Sequence, residues 1–387
     1  MKITENIYFQ NFKSKKKNSK ISKLLKSLLE DDNEILNSLS KNYKNNFDKN
    51  FISNLKKFSN VSLIGMGGSI LGAKSIYSFL RKKVKKNFSF EDSFSGFSKK
   101  GKSKKKLNII ISKSGNTLET IANTNILIKK NQKNIFITEN KNSYLLNQAK
   151  KLKAEIIHHN NYIGGRYSVL SEVGMLPAEL MGFKQHKFKR LNNIIKNKNF
   201  LNSLIYNVSN ILKLVKNKKN NSIIINYDEN ASDFFKWYQQ LVAESLGKKG
   251  KGILPLISSM PKDNHSLMQY FLDGYKNNFF TFFFTEEKLS QKINNSELFK
   301  THFYLKNKNL NDIAHSQFEA TLRVFRKRNI PFRSFLIKKR SEETLGELFT
   351  FFILETILLG KSLNVNPYDQ PSVELIKLDT KKILMGS

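Results

Sequence analysis

The stretch "VSLIGMGGSILG", Val61 to Gly72, decides the fold. An apolar run is broken by Gly65, Gly67 and Gly68. Ser69 follows, and then a sequence with helical character begins. A strand that turns through glycines into a helix presents backbone N–H groups at the helix start, a place suited to an anion. Two nucleotide readings fail here. A dinucleotide fingerprint needs glycine at position 70, where Ile70 stands, and a P-loop needs Gly-Lys-Ser/Thr, whereas Gly72 is followed by Ala73 and Lys74. Taken alone, the turn either holds some other phosphate or is only a turn.

Outward from this turn, strand-like and helical runs alternate. "LNIIIS" precedes "NTLETIANTNILIKK", "NIFIT" precedes "SYLLNQAKKL", and "AEIIHH" follows. Near-continuous apolar strands joined by helical crossovers predict a doubly wound α/β layer of parallel strands, covered on both faces. A second alternation begins near Asn221 with "SIIINY", "DFFKWYQQLVAESL", "GILPLIS", "SLMQYFLDGY" and "FFTFFFT". The expected organisation is a helical N-terminal lead-in over 1–50, a first α/β domain over 51–190 and a helical connection over 191–220. A second α/β domain over 221–345 follows, then a C-terminal helix and segment over 346–387. "LFTFFILETILLG", Leu348 to Gly360, is too short to span a bilayer and contains Glu355, so it reads as a buried helix.

The 387 residues carry a formal charge of +36. Such a charge suits nucleic acid or an anionic membrane. Here lysine and asparagine crowd together nearly everywhere, and arginine, the better bidentate reader of phosphate, is sparse. The charge therefore reads as scattered solvated lysines that attract anionic substrates, with no specific nucleic acid and no membrane as partner. The densest basic stretch, Arg81 to Lys106, reads as surface loop around one short strand at most. There is no cysteine, which excludes disulfides, thiolate metal sites and cysteine nucleophiles, and fits a cytoplasmic protein. The N-terminus has no apolar h-region of the kind a signal peptide needs.

A second loop strengthens the phosphate reading. "IISKSGNTLET" places Ser112, Lys113, Ser114 and Thr117 between a strand and a helix, with Glu119 in the first turn. Hydroxyls and N-terminal amides bind phosphate without a metal, although an ordinary cap uses the same residue types. Loops at the carboxyl ends of neighbouring parallel strands converge on one crevice. "IGGRYSVLSEVG" sets Arg166 after two glycines, where it serves equally as an oxyanion partner or as a structural ion pair. In "WYQQLVAESLGK", Gln240 and Glu244 lie four apart on one helix face, with Trp237, Leu241 and Val242 as apolar surroundings that suit a general base. In "DNHS", His265 stands before a helix, as a cap or a proton shuttle.

Six segments in order, "IGMGGSILG", "SKSGNTLET", "GGRYSVLSEVG", "QLVAESLGK", "DNHS" and "NPYDQPSVELIK", resemble the glucose-6-phosphate isomerase family over about Val61 to Lys377. The resemblance implies two sugar-isomerase (SIS-type) α/β sandwich domains with parallel sheets and a site between them, on which the C-terminal segment packs back. It implies reversible isomerisation of glucose 6-phosphate and fructose 6-phosphate through a cis-enediol(ate), with no cofactor and no metal. By the same resemblance Gly68, Ser69, Ser112, Lys113, Ser114 and Thr117 line the phosphate site. Glu244 is the base, Arg166 steadies the intermediate, and His265 and Lys377 serve ring opening. Gln240 and Gln370 line the substrate, and Glu119 supports. A homodimer is implied, with His265 crossing to the partner's site.

Three positions depart from the family pattern. Asn116 stands where threonine is more usual, Glu172 where a small residue or proline is usual, and Ser372 where glycine or alanine is usual. Ser372 makes ring opening the step at which weakened activity is expected. Two alternatives compete with the leading reading. One is a dual-specificity phosphoglucose/phosphomannose isomerase. The other is a non-catalytic sugar-phosphate-sensing regulator that binds nucleic acid, which predicts a helix-turn-helix that the N-terminal lead-in does not display.

Overall fold

Alternation of buried and exposed positions puts a strand where a helix was expected. In the computed structural model, which describes residues 1–13, 18–94, 106–287 and 290–386, the chain opens with strand β1 (Ile7–Gln10), followed by helix α1 (Ser19–Glu30). Ile7 and Phe9 turn inward and Tyr8 and Gln10 outward, the two-residue period of a half-covered strand. The helical lead-in predicted over 1–50 is thus corrected at its start.

The alternation from Val61 onward forms the first sheet. Its elements are β2 (Asn60–Gly65), α2 (Gly68–Phe79), β3 (Asn87–Glu91), β4 (Lys106–Ile111) and α3 (Leu118–Leu127). β5 (Lys133–Thr138), α4 (Tyr144–Lys151) and β6 (Glu155–His158) complete it. The strand order is β3-β2-β4-β5-β6, all parallel, with Gly65 opposite Ile111 at the carboxyl ends of β2 and β4. Both faces are covered. Leu63, Ile109, Ile135 and Ile137 share a core with Leu176, and Ile64, Ile110 and Phe136 pack with Leu145 and Ala149. Residues 95–105 of the basic stretch lie outside the described residues, and the part before them holds a 3₁₀ turn, Arg81–Lys83, and the short strand β3.

Helices α5 (Glu172–Leu180) and α6 (Lys198–Lys216) lead to the second sheet. It is built from β7 (Asn221–Asn226), α7 (Ser232–Leu246), β8 (Leu254–Ser259), β9 (Asn278–Thr285), α8 (Leu310–Lys327) and β10 (Phe332–Ile337). Its order is β1-β10-β9-β7-β8, parallel except for β1, which pairs antiparallel with β10. β9 is buried along its whole length. Phe280, Phe282 and Phe284 enter one core, and Phe279 and Phe283 the other.

The greasy stretch, Leu348 to Gly360, is buried throughout and lies within α9 (Glu342–Ser362). Its Glu355 is fully buried, and an isolated charge there would be costly. It is paired with the equally buried Arg333, bonded to Asn207, and accepts from the Tyr238 hydroxyl at 3.0 Å. Helix α10 (Val373–Leu384) ends the fold with exposed apolar residues, Leu375 and Ile376 among them. Among the described residues no helix is long and apolar enough to cross a membrane.

One packing contact positions everything that follows. Helix α2, which begins at the glycine turn, lies against α7 of the second half. Ser75 Oγ donates to the Asp233 carbonyl at 3.0 Å, and Ser78 bonds the Asp233 carboxylate.

Candidate active site

The turn after β2 is shaped by close approach. Gly67 has φ +52°, a left-handed conformation that favours glycine, and a Cβ there would lie 2.7 Å from Gln240 Nε2. A Cβ on Gly68 would lie 2.2 Å from the Gly165 carbonyl carbon. The turn therefore presses directly on the Gly165-Arg166 backbone and on the face of α7 that carries Gln240 and Glu244.

Arg166 stands at the centre of this meeting, 3% exposed. It lies in a 3₁₀ turn, Gly165–Leu170. Its Nε donates to Ser245 Oγ at 2.8 Å, and Nη2 donates to the carbonyls of Pro367 at 2.8 Å and Asp369 at 3.0 Å. Nη1 donates to Gln370 Oε1 at 2.7 Å and reaches Glu244 Oε2 at 3.3 Å. Tyr167 braces the same group by donating to the Pro367 carbonyl at 2.9 Å, with its oxygen 2.9 Å from Ser245 Oγ. Burial pushes the Tyr167 hydroxyl up to about 12, so it stays protonated. The structural reading of Arg166 is realised. Two edges of the guanidinium are structural, and one nitrogen faces a carboxylate.

Glu244 Oε1 accepts from Gln240 Nε2 at 2.8 Å, the bond that a four-residue spacing allows. The oxygen of that amide, Gln240 Oε1, is buried without a partner among the described residues. The expected apolar setting of Glu244 is corrected. Leu241 and Val242 turn into the core, and Trp237 donates its indole N–H to the Arg166 carbonyl at 3.0 Å. The carboxylate itself has an amide and a guanidinium as neighbours, and its side chain is 32% exposed.

The second loop leaves the carboxyl end of β4 beside the first. Ser112 Oγ lies 2.9 Å from Thr117 Oγ1 and accepts from the Gly115 N–H at 3.2 Å. Ser114 is exposed and accepts from the Asn116 N–H at 3.2 Å. Thr117 holds the cap position of α3 without a side-chain cap bond, and Glu119 sits in its first turn. Ser69 is half-buried in the first turn of α2. The Lys113 ammonium is already engaged, by the Asn161 carbonyl at 2.8 Å and by Glu139 at 3.4 Å. Asn116, one of the departures, accepts from the Tyr144 N–H at 3.0 Å and so links the loop to α4. Nothing in the structure explains Ser372.

The chain thus brings together Gly68, Arg166, Gln240, Glu244 and Gln370, and separately groups Ser112, Ser114 and Thr117. Two expected residues stand elsewhere. His265 is exposed after a short 3₁₀ turn, Lys262–Asn264, and Lys377 is exposed on α10, paired with Glu374 at 2.6 Å. Of the C-terminal segment, Pro367–Gln370 lies against Arg166, while α10 does not. Sequence reasoning missed Ser245 and Tyr167. Their only signal was adjacency to Glu244 and Arg166.

Residues 26–253 match the family model described as "Phosphoglucose isomerase". A glucose-6-phosphate isomerase of Mycoplasmopsis pulmonis is 34% identical over 83% of this chain and 82% of its own length. One of Methanocaldococcus jannaschii is 32% identical over 89% and 88%. Among solved structures, a hypothetical protein from Thermus thermophilus superposes with a TM-score of 0.82 at 22% identity, covering 94% of each chain. A glucose-6-phosphate isomerase from Chlamydia trachomatis gives 0.70 at 19% identity, covering 87% of this chain and 71% of that one. At such identities the superpositions speak for the fold.

Proposed function

This chain belongs to the phosphoglucose isomerase family, and from that premise we propose how its own residues carry the reaction. The reaction is the reversible isomerisation of glucose 6-phosphate and fructose 6-phosphate. An aldose–ketose shift needs an open chain, so an acid and a base must first act at the ring oxygen and O1. Glu244 then takes the proton from C2, which leaves an enediolate, and returns it to C1 on the same face. Negative charge develops on oxygen in that intermediate, and Arg166 Nη1 is the fixed donor beside it. The hydroxyls of Ser69, Ser112, Ser114 and Thr117, with the backbone at Gly68, anchor the phosphate and so orient the far end of the sugar. Gln240 and Gln370 line the sugar between these ends.

The single observation that carries this reading is the meeting of Arg166 with Glu244 at 3.3 Å beneath the Gly67-Gly68 turn. A base and an oxyanion donor stand together beside a turn built to accept an anion.

Ring opening is assigned to His265 and Lys377. A homodimer with His265 supplied to the partner's site goes with this assignment, and what supports it is that His265 is exposed and so can be offered outward from its own fold. The cysteine-free composition supports cytoplasmic residence. Neither alternative is favoured, and the scattered lysines give a regulator no localised footprint.

The test is a coupled assay. Purified protein is given fructose 6-phosphate, and glucose 6-phosphate is read by NADP reduction through its dehydrogenase. Sustained NADPH formation is expected, and its absence would sink the isomerase reading. Mannose 6-phosphate run alongside decides the breadth of the site. A DNA mobility shift that sugar phosphate modulates would favour the regulator.

A further inference from the structure

We propose that Glu172 is a positioning residue for Arg166. It clamps the loop that delivers the guanidinium, and it acts through that loop without touching substrate. The inference rests on the assignment of Arg166 to the isomerisation.

Glu172 occupies the first turn of α5 with a side chain wholly removed from solvent. A helix start favours a carboxylate, but a buried one must have its oxygens satisfied. Both are. Oε1 accepts from the Asn160 N–H at 2.8 Å, and Oε2 accepts from the Tyr43 hydroxyl at 3.1 Å. Further groups close the cluster. His159 Nδ1 lies 2.8 Å from the Asn160 carbonyl and 3.9 Å from Glu172 Oε1, and Lys189 lies over the Tyr43 ring at 4.4 Å. Asn160 is held a second time, by its side-chain amide donating to Glu34 Oε2 at 2.7 Å.

Asn160 is the first fixed point of a short loop that ends at Arg166. Directly after it, the Asn161 carbonyl accepts from Lys113 of the phosphate loop. At its far end, Gly165 meets Gly68 in the close approach described above. The helix that carries Glu172 closes beneath the Arg166 turn equally tightly, because a Cβ on Gly174 would lie 1.9 Å from the Val169 carbonyl oxygen. One carboxylate therefore ties the start of the loop to the helix beneath its end. A small residue or proline at this position would leave the Asn160 N–H and the Tyr43 hydroxyl without that partner.

The experiment is a double-mutant cycle on the full chain, with kcat and KM measured by the coupled assay. Glu172→Ala should lower kcat about tenfold with KM changed less than about twofold, since Arg166 acts on the intermediate. Glu172→Gln keeps an acceptor for Asn160 and a partner for Tyr43, and should restore activity to within about threefold of the unmodified chain. In an Arg166→Lys background, Glu172→Ala should cost less than about twofold. Equal losses in both backgrounds, or an unchanged kcat in Glu172→Ala, overturns the proposal. Should Glu172→Ala fail to fold, Tyr43→Phe enters the same cycle. An about threefold loss that vanishes with Arg166→Lys is expected there, and a loss of equal size in both backgrounds, or no loss, overturns the proposal. An unmodified chain with no isomerase activity would instead remove the functional reading on which the proposal rests.

Discussion

Arg166 and Lys377 are both cations assigned to one reaction, and the chain treats them in opposite ways. Arg166 is buried, and every nitrogen of its guanidinium is engaged, by Ser245, by Glu244 and Gln370, and by the carbonyls of Pro367 and Asp369. Lys377 is exposed, and its partner Glu374 lies one turn earlier on the same helix. The first cation is fixed by segments more than seventy residues away in sequence. The second is fixed only relative to its own helix. A group that must meet charge as it develops gains from being held before the reaction begins. A group on α10 goes wherever that helix goes.

The largest way to break this contrast is at the carboxylate that Arg166 faces. Glu244→Gln should lower kcat by about 10³-fold, while competition binding shows that fructose 6-phosphate is still held. Near-normal turnover in that variant would falsify the assignment of the base. Next comes the backbone contact that sets the Arg166 loop. Gly68→Ala places a Cβ 2.2 Å from the Gly165 carbonyl carbon, so the loop must shift. A loss of kcat of about tenfold to a hundredfold, together with a lower melting temperature, is expected. Unchanged kinetics would show that the close approach does not position Arg166.

Lys377→Ala sharpens the other side of the comparison. Activity on the closed-ring substrate should fall by about tenfold, with the melting temperature unmoved, because the side chain is exposed and its bond is local. A melting shift as large as that of Gly68→Ala would show that α10 is packed in solution.

The smallest effect is a pH dependence of stability. Burial holds the His159 imidazole below its ordinary pKa, against the opposing pull of Glu172 and Glu139 and with Lys113 adding to the depression. The folded value lies below the unfolded one, so the unfolded chain takes up the proton first as pH falls. Stability is therefore lost as pH drops below about 6.5 and on toward the folded value, by at most about 1.4 kcal/mol per pH unit. Urea midpoints at pH 7.5 and 5.5 should differ less in His159→Gln than in the unmodified chain. An identical difference in both would refute the assignment.

Much of this was legible in the residues, for a physical reason. The glycine turn, the hydroxyl loop and the Gln240–Glu244 pair are local patterns, and local spacing is what a sequence displays. Even the setting of Glu244 was only partly readable. Helical spacing brought Gln240 to it, but the guanidinium beside it arrives from Arg166, far back in the chain. Ser245, Tyr167 and the Pro367 carbonyl were invisible for the same reason, since their role exists only where three distant segments meet. β1 was missed because four residues are too few to display a period and because its partner, β10, lies more than three hundred residues on. Glu172 was noticed only as a residue out of place. The bonds that explain it come from Tyr43 and Asn160.

That first strand has a consequence for how the protein is made. The first sheet uses strands between Asn60 and His158, contiguous in the chain, so it is complete once that stretch has left the ribosome. The second sheet cannot close at its β10 edge until Phe332–Ile337 has been synthesised and has found Ile7–Gln10, which precedes the other strands among the described residues. Non-local pairing of this kind is slow, and unpaired strand edges invite association while they wait. Strand β1 is thus the last part of its sheet to find a neighbour, and a change made in Ile7–Gln10 acts on the half of the molecule farthest from it in sequence.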